Sequence, residues 1–192
     1  IWIIYLLGAI IVAVFFLVSY LALMWTLRRT KPAPEEWTQQ WHQLLGDRNL
    51  SPIPLKIHNQ LGPMLCRTPR GYQLVVPHGV WSRLSCQQRE AVLEHEIGHI
   101  ERRDIWKTLA EGCVAMLHWF NPIAWWSVKQ FEEAAEWDCD RRLTEKDKEH
   151  AVEFAKALLQ FAEPKSLPLG ASLARGASLS PRIQRLTRPD RS

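Results

Sequence analysis

Two histidines and a glutamate stand close together in the segment EAVLEHEIGHIERRD, which covers residues 90–104. His95 and His99 are four residues apart, so on an α-helix their side chains lie on the same face and can place ring nitrogens on one metal ion. Glu96 lies one residue round the helix, close enough to take a proton from a water molecule on that ion. This geometry predicts a metallohydrolase, in which Zn²⁺ lowers the pKa of a bound water towards about 7 and the glutamate acts as general base.

Such a site needs a third ligand, because catalytic zinc usually takes three protein ligands and keeps one position for water. The segment FEEAAEWDCD offers several carboxylates on one predicted helix. Glu136 and Asp140 are four residues apart and share a face, so Glu136 could bind the ion while Asp140 accepts the other ring N–H of a liganding histidine. The spacing alone also allows Glu132 together with Glu136. Asp104 is either a residue that orients His99 or an ordinary charge near a helix end.

The helices that carry these residues follow from capping and apolar periodicity. Ser85 is suited to cap a helix that includes both histidines, and a further helix begins near Ile123 and carries the acidic segment. Residues 105–126 between them are apolar and rich in tryptophan, but polar residues and Pro122 interrupt them. We interpret this stretch as a helix pair that is buried in the domain or lies against the membrane surface.

The remaining elements predict a fold class that is mainly α with a small β-sheet (α+β). WTQQWHQLL reads as a short amphipathic helix, and SPIPLKIHN, MLCR and YQLVVP read as strands, with TPRG as the turn between the last two. We expect YQLVVP to be an exposed edge to which a substrate strand adds. AVEFAKALLQFAE predicts a last helix whose inward residues are Val152, Ala155, Leu158, Leu159 and Ala162.

The N-terminal segment 1–26 carries no charged side chain and, as a helix, is long enough for the roughly 30 Å hydrocarbon core of a bilayer. Arg28, Arg29 and Lys31 follow it directly, which predicts that the chain beyond them lies in the cytoplasm. A signal peptide would carry its positive charges before a shorter apolar run, so we expect this helix to stay in the protein. The start on Ile1 suggests a piece of a larger membrane protein.

The net charge is +4, and positive side chains are unevenly distributed along the chain. Five arginines lie near the C-terminus, at positions 175, 182, 185, 188 and 191. We favour a second cytoplasmic membrane flank over a nucleic-acid site, because no aromatic residues interleave these arginines to stack on bases. The four cysteines show no paired CxxC spacing, and a cytoplasmic location would keep them reduced. We therefore expect no disulfide and no direct nucleic-acid partner.

Four segments, HEIGHIERRD, HWFNPIAWW, EWDCD and RIQRL, occur in that order, and together they resemble the membrane-embedded zinc peptidases of the BlaR/MecR type, which are antibiotic-sensing signal transducers. The resemblance implies that His95 and His99 are the helix ligands, Glu96 the catalytic base and Glu136, rather than Glu132, the third ligand. It also implies a carboxylate in preference to the neighbouring thiol, Cys139. The electrophile for the tetrahedral intermediate stays open among three residues: His150, Arg141 and Arg142.

The resemblance further implies a reduced gluzincin zinc-peptidase domain, held on the cytoplasmic side of the cell membrane, that performs regulated proteolysis. In that family a signal received outside the cell leads to cleavage of the domain itself or of a cytoplasmic repressor of transcription. The sequence has no Ser-x-x-Lys motif, so β-lactam sensing is not implied. The loop KSLPLGASLARGASLS is a self-cleavage site, an internal inhibitor or a plain linker.

These inferences combine into one predicted organisation. Residues 1–27 form a transmembrane helix, 28–50 a juxtamembrane linker with a short helix, 51–163 the zinc metallopeptidase domain, and 164–192 a flexible loop with a basic flank. The predicted partners are the membrane and a protein substrate, and a homodimer is left open. The alternatives are a general quality-control protease for membrane proteins and a non-enzymatic scaffold with a structural metal site. Glu96 argues against the scaffold, since a structural site needs no base.

Overall fold

The structure, a computed structural model, describes residues 2–59 and 61–162, apart from the side chains of Lys146 and Ala162. The predicted loop and basic flank at 164–192 lie outside the described residues. The described chain is mainly helical with one small sheet, which confirms that part of the predicted fold class. Its elements in chain order are α1 (Trp2–Leu27), β1 (Lys31–Pro32), α2 (Glu35–Asp47), β2 (Leu55–His58), β3 (Met64–Thr68), β4 (Gly71–Pro77), α3 (His78–Trp81), α4 (Cys86–Glu101), α5 (Asp104–Leu117), α6 (Pro122–Lys146) and α7 (Lys148–Ala162).

The sheet has the strand order β1-β2-β4-β3, in which β2 and β4 are parallel and the other pairs are antiparallel. β3 and β4 form the predicted hairpin, and Gly71 has a φ of 128° at its turn, where a side chain would be strained. The prediction that YQLVVP is an exposed edge is wrong, because β4 pairs on both sides. Its last five residues, from 73 to 77, are all buried, as is usual for a strand covered on both faces. The edges among the described strands are β1 and β3.

The main core lies between the sheet and helices α2, α4 and α7. Trp41 of α2 is fully buried, and its indole N–H donates to the carbonyl of Ile53 over 2.8 Å. Trp37 and Leu45 are buried beside it, which confirms the amphipathic helix predicted there. β1 and α2 therefore belong to the same packed unit as the residues that follow them.

The helix α7 is present as predicted, but part of its predicted inward face is wrong. Val152 and Leu159 are 40% and 54% exposed, whereas Ala155 and Leu158 are buried as expected. Phe154, which was not predicted, is buried beside them and stacks on the ring of His95 with the ring centroids 4.6 Å apart. The side chain of Ala162 lies outside the described residues.

The first helix, α1, has 26 residues and is about 39 Å long at 1.5 Å per residue. By length and composition it could cross a membrane, and it is the one such helix among residues 2–59 and 61–162. Its last turn packs on the sheet, where Leu27 meets Cys66 and Val75. The predicted helix pair exists as the hairpin of α5 and α6, whose turn and neighbouring residues lie beside α1, whereas the later part of α6 packs on α4 and α7.

Candidate metal centre

The helices that carry the predicted ligands begin at well-formed caps. The hydroxyl oxygen of Ser85 accepts a hydrogen bond from the backbone N–H of Gln88 over 3.1 Å. The side-chain amide oxygen of Gln88 accepts one from the backbone N–H of Ser85, also over 3.1 Å. These two bonds confirm the predicted cap of α4. At the start of α6, the side-chain oxygen of Asn121 accepts the N–H of Ile123 over 3.0 Å, with Pro122 in the first turn. Both helices therefore have fixed starting points.

The three predicted ligands lie together between α4 and α6. The Nε2 atoms of His95 and His99 are 3.2 Å apart, and they lie 3.5 Å and 3.4 Å from the two carboxylate oxygens of Glu136. Ligand atoms placed tetrahedrally at about 2.0–2.1 Å from Zn²⁺ would be about 3.3 Å from one another. These three side chains therefore have the chemistry and the spacing of a zinc site. That they bind Zn²⁺ stays a prediction.

Two buried carboxylates face the outer nitrogens of the two histidine rings. Asp104 Oδ2 is 2.9 Å from His99 Nδ1, and Asp140 Oδ1 is 3.3 Å from His95 Nδ1, slightly longer than an ordinary hydrogen bond. Asp104 is 5% exposed and Asp140 2%. A carboxylate at Nδ1 holds the N–H there and leaves Nε2 free to bind a metal. The structure thus places both residues where the supporting roles predicted for them require.

Arg102 is a part of the site that the sequence reasoning missed. Its guanidinium donates to Asp138 over 2.6 Å and to the carbonyl of Ala135 over 3.3 Å, and its Nε lies 3.3 Å from Asp104. It therefore ties the end of α4 to α6 and to the carboxylate of Asp104 beside His99. In the sequence it was one of several arginines, and only the three-dimensional contacts distinguish it.

Cys139 lies beside the site without replacing Glu136. Its Sγ is 3.5 Å from His99 Nδ1, and with His99 and Asp104 it forms a second group whose atoms could approach one ion. The guanidinium of Arg102 already reaches two of these three residues, at 3.9 Å from the sulfur of Cys139 and 3.3 Å from the carboxylate of Asp104. A positive charge is thus in place there, which argues against a second cation.

The charges around His99 favour its protonated form when no metal is bound. Burial alone would lower the pKa of His99, but hydrogen bonds to Asp104, Cys139 and Glu136, with the charge of Glu96, raise this pKa to about 12. Burial would raise the pKa of Asp104, but the contact with His99 and the charge of Arg102 hold it below its usual range. A metal ion at Nε2 would have to displace that proton.

The predicted base, Glu96, is 8% exposed and follows His95 directly in α4. Burial, with the negative charge of Glu96, raises the pKa of Cys66 on β3 to about 12. The charge of Glu96 thus acts on the edge strand.

A cavity of about 250 Å³ opens beside His95. Of the three candidate electrophiles, Arg142 lines this cavity. Arg142 and Arg141 both contact Asp138, at 3.0 Å and 3.4 Å, and His150 contacts Asp147 at 2.8 Å. The other residues that line the cavity are Arg48, Glu94, Gly98, Glu101, Cys139 and Leu143.

Comparison with known proteins confirms the family resemblance seen in the sequence. Residues 1–186 match the family model described as BlaR1 peptidase M56. Over 93 residues, 48% of the chain, the sequence is 26% identical to Regulatory protein BlaR1 of Bacillus licheniformis, and the match spans only 15% of the length of that protein. Because the family model covers nearly all of the 192 residues, the chain belongs to the BlaR1 peptidase M56 family.

Proposed function

We propose that this chain is the zinc metalloendopeptidase part of a membrane-bound signalling protein. It cleaves either its own chain or a cytoplasmic regulator such as a transcriptional repressor. The family is one of peptidases, and the relative from Bacillus licheniformis is named as a regulatory protein. The observation that carries the proposal is the spacing of 3.2–3.5 Å among His95, His99 and Glu136, with a buried glutamate next to the first histidine.

The mechanism assigns each residue a separate task. Zn²⁺, when bound, would polarise the scissile carbonyl and acidify a water molecule. With the ion bound, Glu96 would take the proton of that water and pass it to the leaving amine. His95, His99 and Glu136 would hold the ion, with two ligands from α4 and the third from α6, as expected for a reduced gluzincin domain.

The outer carboxylates and Arg102 keep the ligands in place. Asp104 and Asp140 fix the ring orientations of His99 and His95, so that little reorganisation is needed when an ion binds. Arg102 holds α4 and α6 at a constant separation through Asp138. These contacts set the geometry of the site before substrate arrives.

The substrate strand is proposed to add to β3 instead of β4. One side of β3 pairs with β4, and no other described strand pairs with its far side. Main-chain hydrogen bonds to such an edge give affinity without demanding a particular sequence. Since Cys66 of β3 packs with Leu27 at the end of α1, this edge lies close to the membrane surface.

The cytoplasmic orientation is part of the proposal. The guanidinium of Arg29 lies 3.7 Å from the ring centre of Trp25, where a cation and an indole suit the headgroup region. The positive residues on this side of α1 favour the cytoplasm for the peptidase domain. The homodimer stays a prediction.

Metal content and cleavage by matched variants test the function. His99→Ala and Glu136→Ala should lose most of the zinc found in purified wild type, whereas Glu132→Ala, which removes the other acid that the spacing allowed, should keep it. Glu96→Gln should keep zinc while cleavage falls by at least about 10²-fold, because glutamine cannot accept the proton. Full zinc retention in both ligand variants, or undiminished cleavage by zinc-loaded Glu96→Gln, would contradict the proposal.

A further inference from the structure

The hairpin α5–α6 carries a broad apolar surface that no described part of the chain covers. Between residues 108 and 128, Glu111 is the only acidic residue, and neither lysine nor arginine occurs. A surface of this size and composition is rare on a protein in water and typically marks a contact with a partner or a membrane. Its exposed large apolar side chains are Trp106, Leu109, Val114, Leu117, Phe120, Ile123, Trp125 and Trp126.

The turn of this hairpin is attached to the beginning of α1. Tyr5 donates its hydroxyl to the carbonyl of Leu117 over 2.7 Å, and Trp119 donates its indole N–H to the carbonyl of Tyr5 over 3.1 Å. Further along, the ring of Phe16 stacks on that of Trp125 with the centroids 6.2 Å apart. The hairpin therefore runs alongside α1 for several turns.

Gly8 makes the closest of these approaches. A Cβ atom at this position would lie 2.1 Å from Cε2 of Trp119, so the indole rests directly on the bare backbone of α1. Gly8 precedes Leu27 by 19 residues, or about 28 Å along the helix axis. This distance is close to the roughly 30 Å thickness of the hydrocarbon core. If α1 crosses the bilayer, the turn of the hairpin lies near the leaflet opposite the peptidase domain.

The polar groups of the turn are arranged as a lipid environment requires. Backbone groups exposed to hydrocarbon must find partners inside the protein, because no water is present to replace them. The carbonyl of Leu117 accepts from Tyr5, that of His118 accepts from the N–H of Asn121 over 2.8 Å, and that of Trp119 accepts from the indole of Trp125 over 3.0 Å. Three successive carbonyls at the end of a helix are thus satisfied.

We propose that residues 106–126 of the hairpin enter the bilayer beside α1 as a re-entrant element, with lipid acyl chains covering their exposed apolar side chains. Three observations carry this proposal: the apolar surface, the contacts with α1 from Tyr5 to Phe16, about 17 Å along the helix, and the satisfied carbonyls of the turn. It rests on α1 as a membrane helix and is independent of the metal chemistry.

Two native cysteines provide a matched test. Cys113 on α5 and Cys86 at the start of α4 are both exposed and free, but only Cys113 lies in the hairpin. The full chain would be placed in lipid nanodiscs, which leave both membrane faces open, and treated with a charged maleimide. The labelling rate of each cysteine would be divided by the rate for the same cysteine in the SDS-denatured protein. We expect this ratio to be at least about tenfold lower for Cys113, because thiolate and reagent both need water. Equal ratios would overturn the proposal.

A second measurement separates lipid from protein as the covering partner. Nanodiscs would contain a lipid with a photoactivatable group on its acyl chain, and adducts would be mapped by mass spectrometry. Leu117 and Leu159 are 50% and 54% exposed, but Leu159 lies on α7 of the peptidase domain. Adducts in the hairpin but not on α7 support the proposal. A protected Cys113 without acyl adducts in the hairpin would show that a second protein surface covers it, and would refute the lipid contact.

Discussion

Replacement of Asp104 by asparagine should weaken zinc binding without removing a ligand. Loss of a residue that orients a liganding histidine typically costs 10–100-fold in metal affinity, or about 1.4–2.7 kcal/mol. Asp104 lies 2.9 Å from His99 Nδ1, but its other oxygen is shared with Arg102 and Lys107, each at 3.3 Å. Its charge is thus partly compensated, and asparagine keeps an acceptor oxygen. We expect a loss of about tenfold for Asp104→Asn and about 100-fold for Asp104→Ala, which also removes the acceptor.

Competition with a chromophoric zinc chelator would measure these affinities at several pH values, so that each can be corrected for the proton that zinc displaces from His99. Asp147→Asn is the matched control, because Asp147 contacts His150 Nδ1 over 2.8 Å at the surface. It should leave zinc affinity unchanged. Asp104 is also the first residue of α5, where a negative charge stabilises the helix by about 0.3–1 kcal/mol, so unfolding of the metal-free variants must be measured separately. Affinities within twofold of wild type for both Asp104 variants would refute the orienting role.

Four further predictions follow from other features. Because the pKa of His99 is raised from 6.5 to about 12 without metal, zinc must displace its proton, and the apparent zinc affinity should rise by about tenfold per pH unit at pH values below the raised pKa; a flat profile would exclude this competition. Gly8→Ala should destabilise the protein by about 1–3 kcal/mol, whereas Gly112→Ala, where a Cβ meets no neighbour, should be neutral or stabilising. Equal melting temperatures for these two variants would show that the contact of Gly8 with Trp119 is unimportant. A cysteine introduced at Pro34 should not react with an impermeant thiol reagent in intact cells, because we expect this position to lie in the cytoplasm. Ready labelling would show that the domain lies outside the cell. If the loop is a self-cleavage site, mass spectrometry should find a cut between residues 165 and 180 in wild type but not in Glu96→Gln. An intact chain in active enzyme would exclude self-cleavage in this loop.

The parts of the site that sequence could predict depend on short-range geometry. His95 and His99 share a face because they are one helical turn apart, and Ser85 could be recognised as a cap from its place before the apolar pattern. Glu136 could be chosen over Glu132 only through the family resemblance, since their spacing alone was ambiguous. In the structure Glu136 is the acid that lies beside both histidines.

Features that depend on distant contacts were harder to predict. Which strand becomes the edge is decided by pairing between segments far apart in the chain, so β4 could not be identified as central from its own hydrophobicity. In α7, two overlapping sets of apolar residues both have helical spacing, and packing against α4 selected the one that contains Phe154. Arg102 acquires its role only when Asp104 and Asp138 approach it.

The continuity of α6 has a mechanical consequence. This helix runs unbroken from Pro122 to Lys146, about 37 Å, with neither glycine nor a further proline in its 25 residues, so it can transmit torsion along its axis with little loss. Trp125 is near one end and Glu136 lies 11 residues further on. A twist of about 20° would carry an atom roughly 6 Å from the axis through about 2 Å, comparable to a zinc–oxygen bond. An angular displacement at the hairpin would therefore shift the Glu136 carboxylate by that distance relative to His95 and His99, with no part of the helix having to unfold.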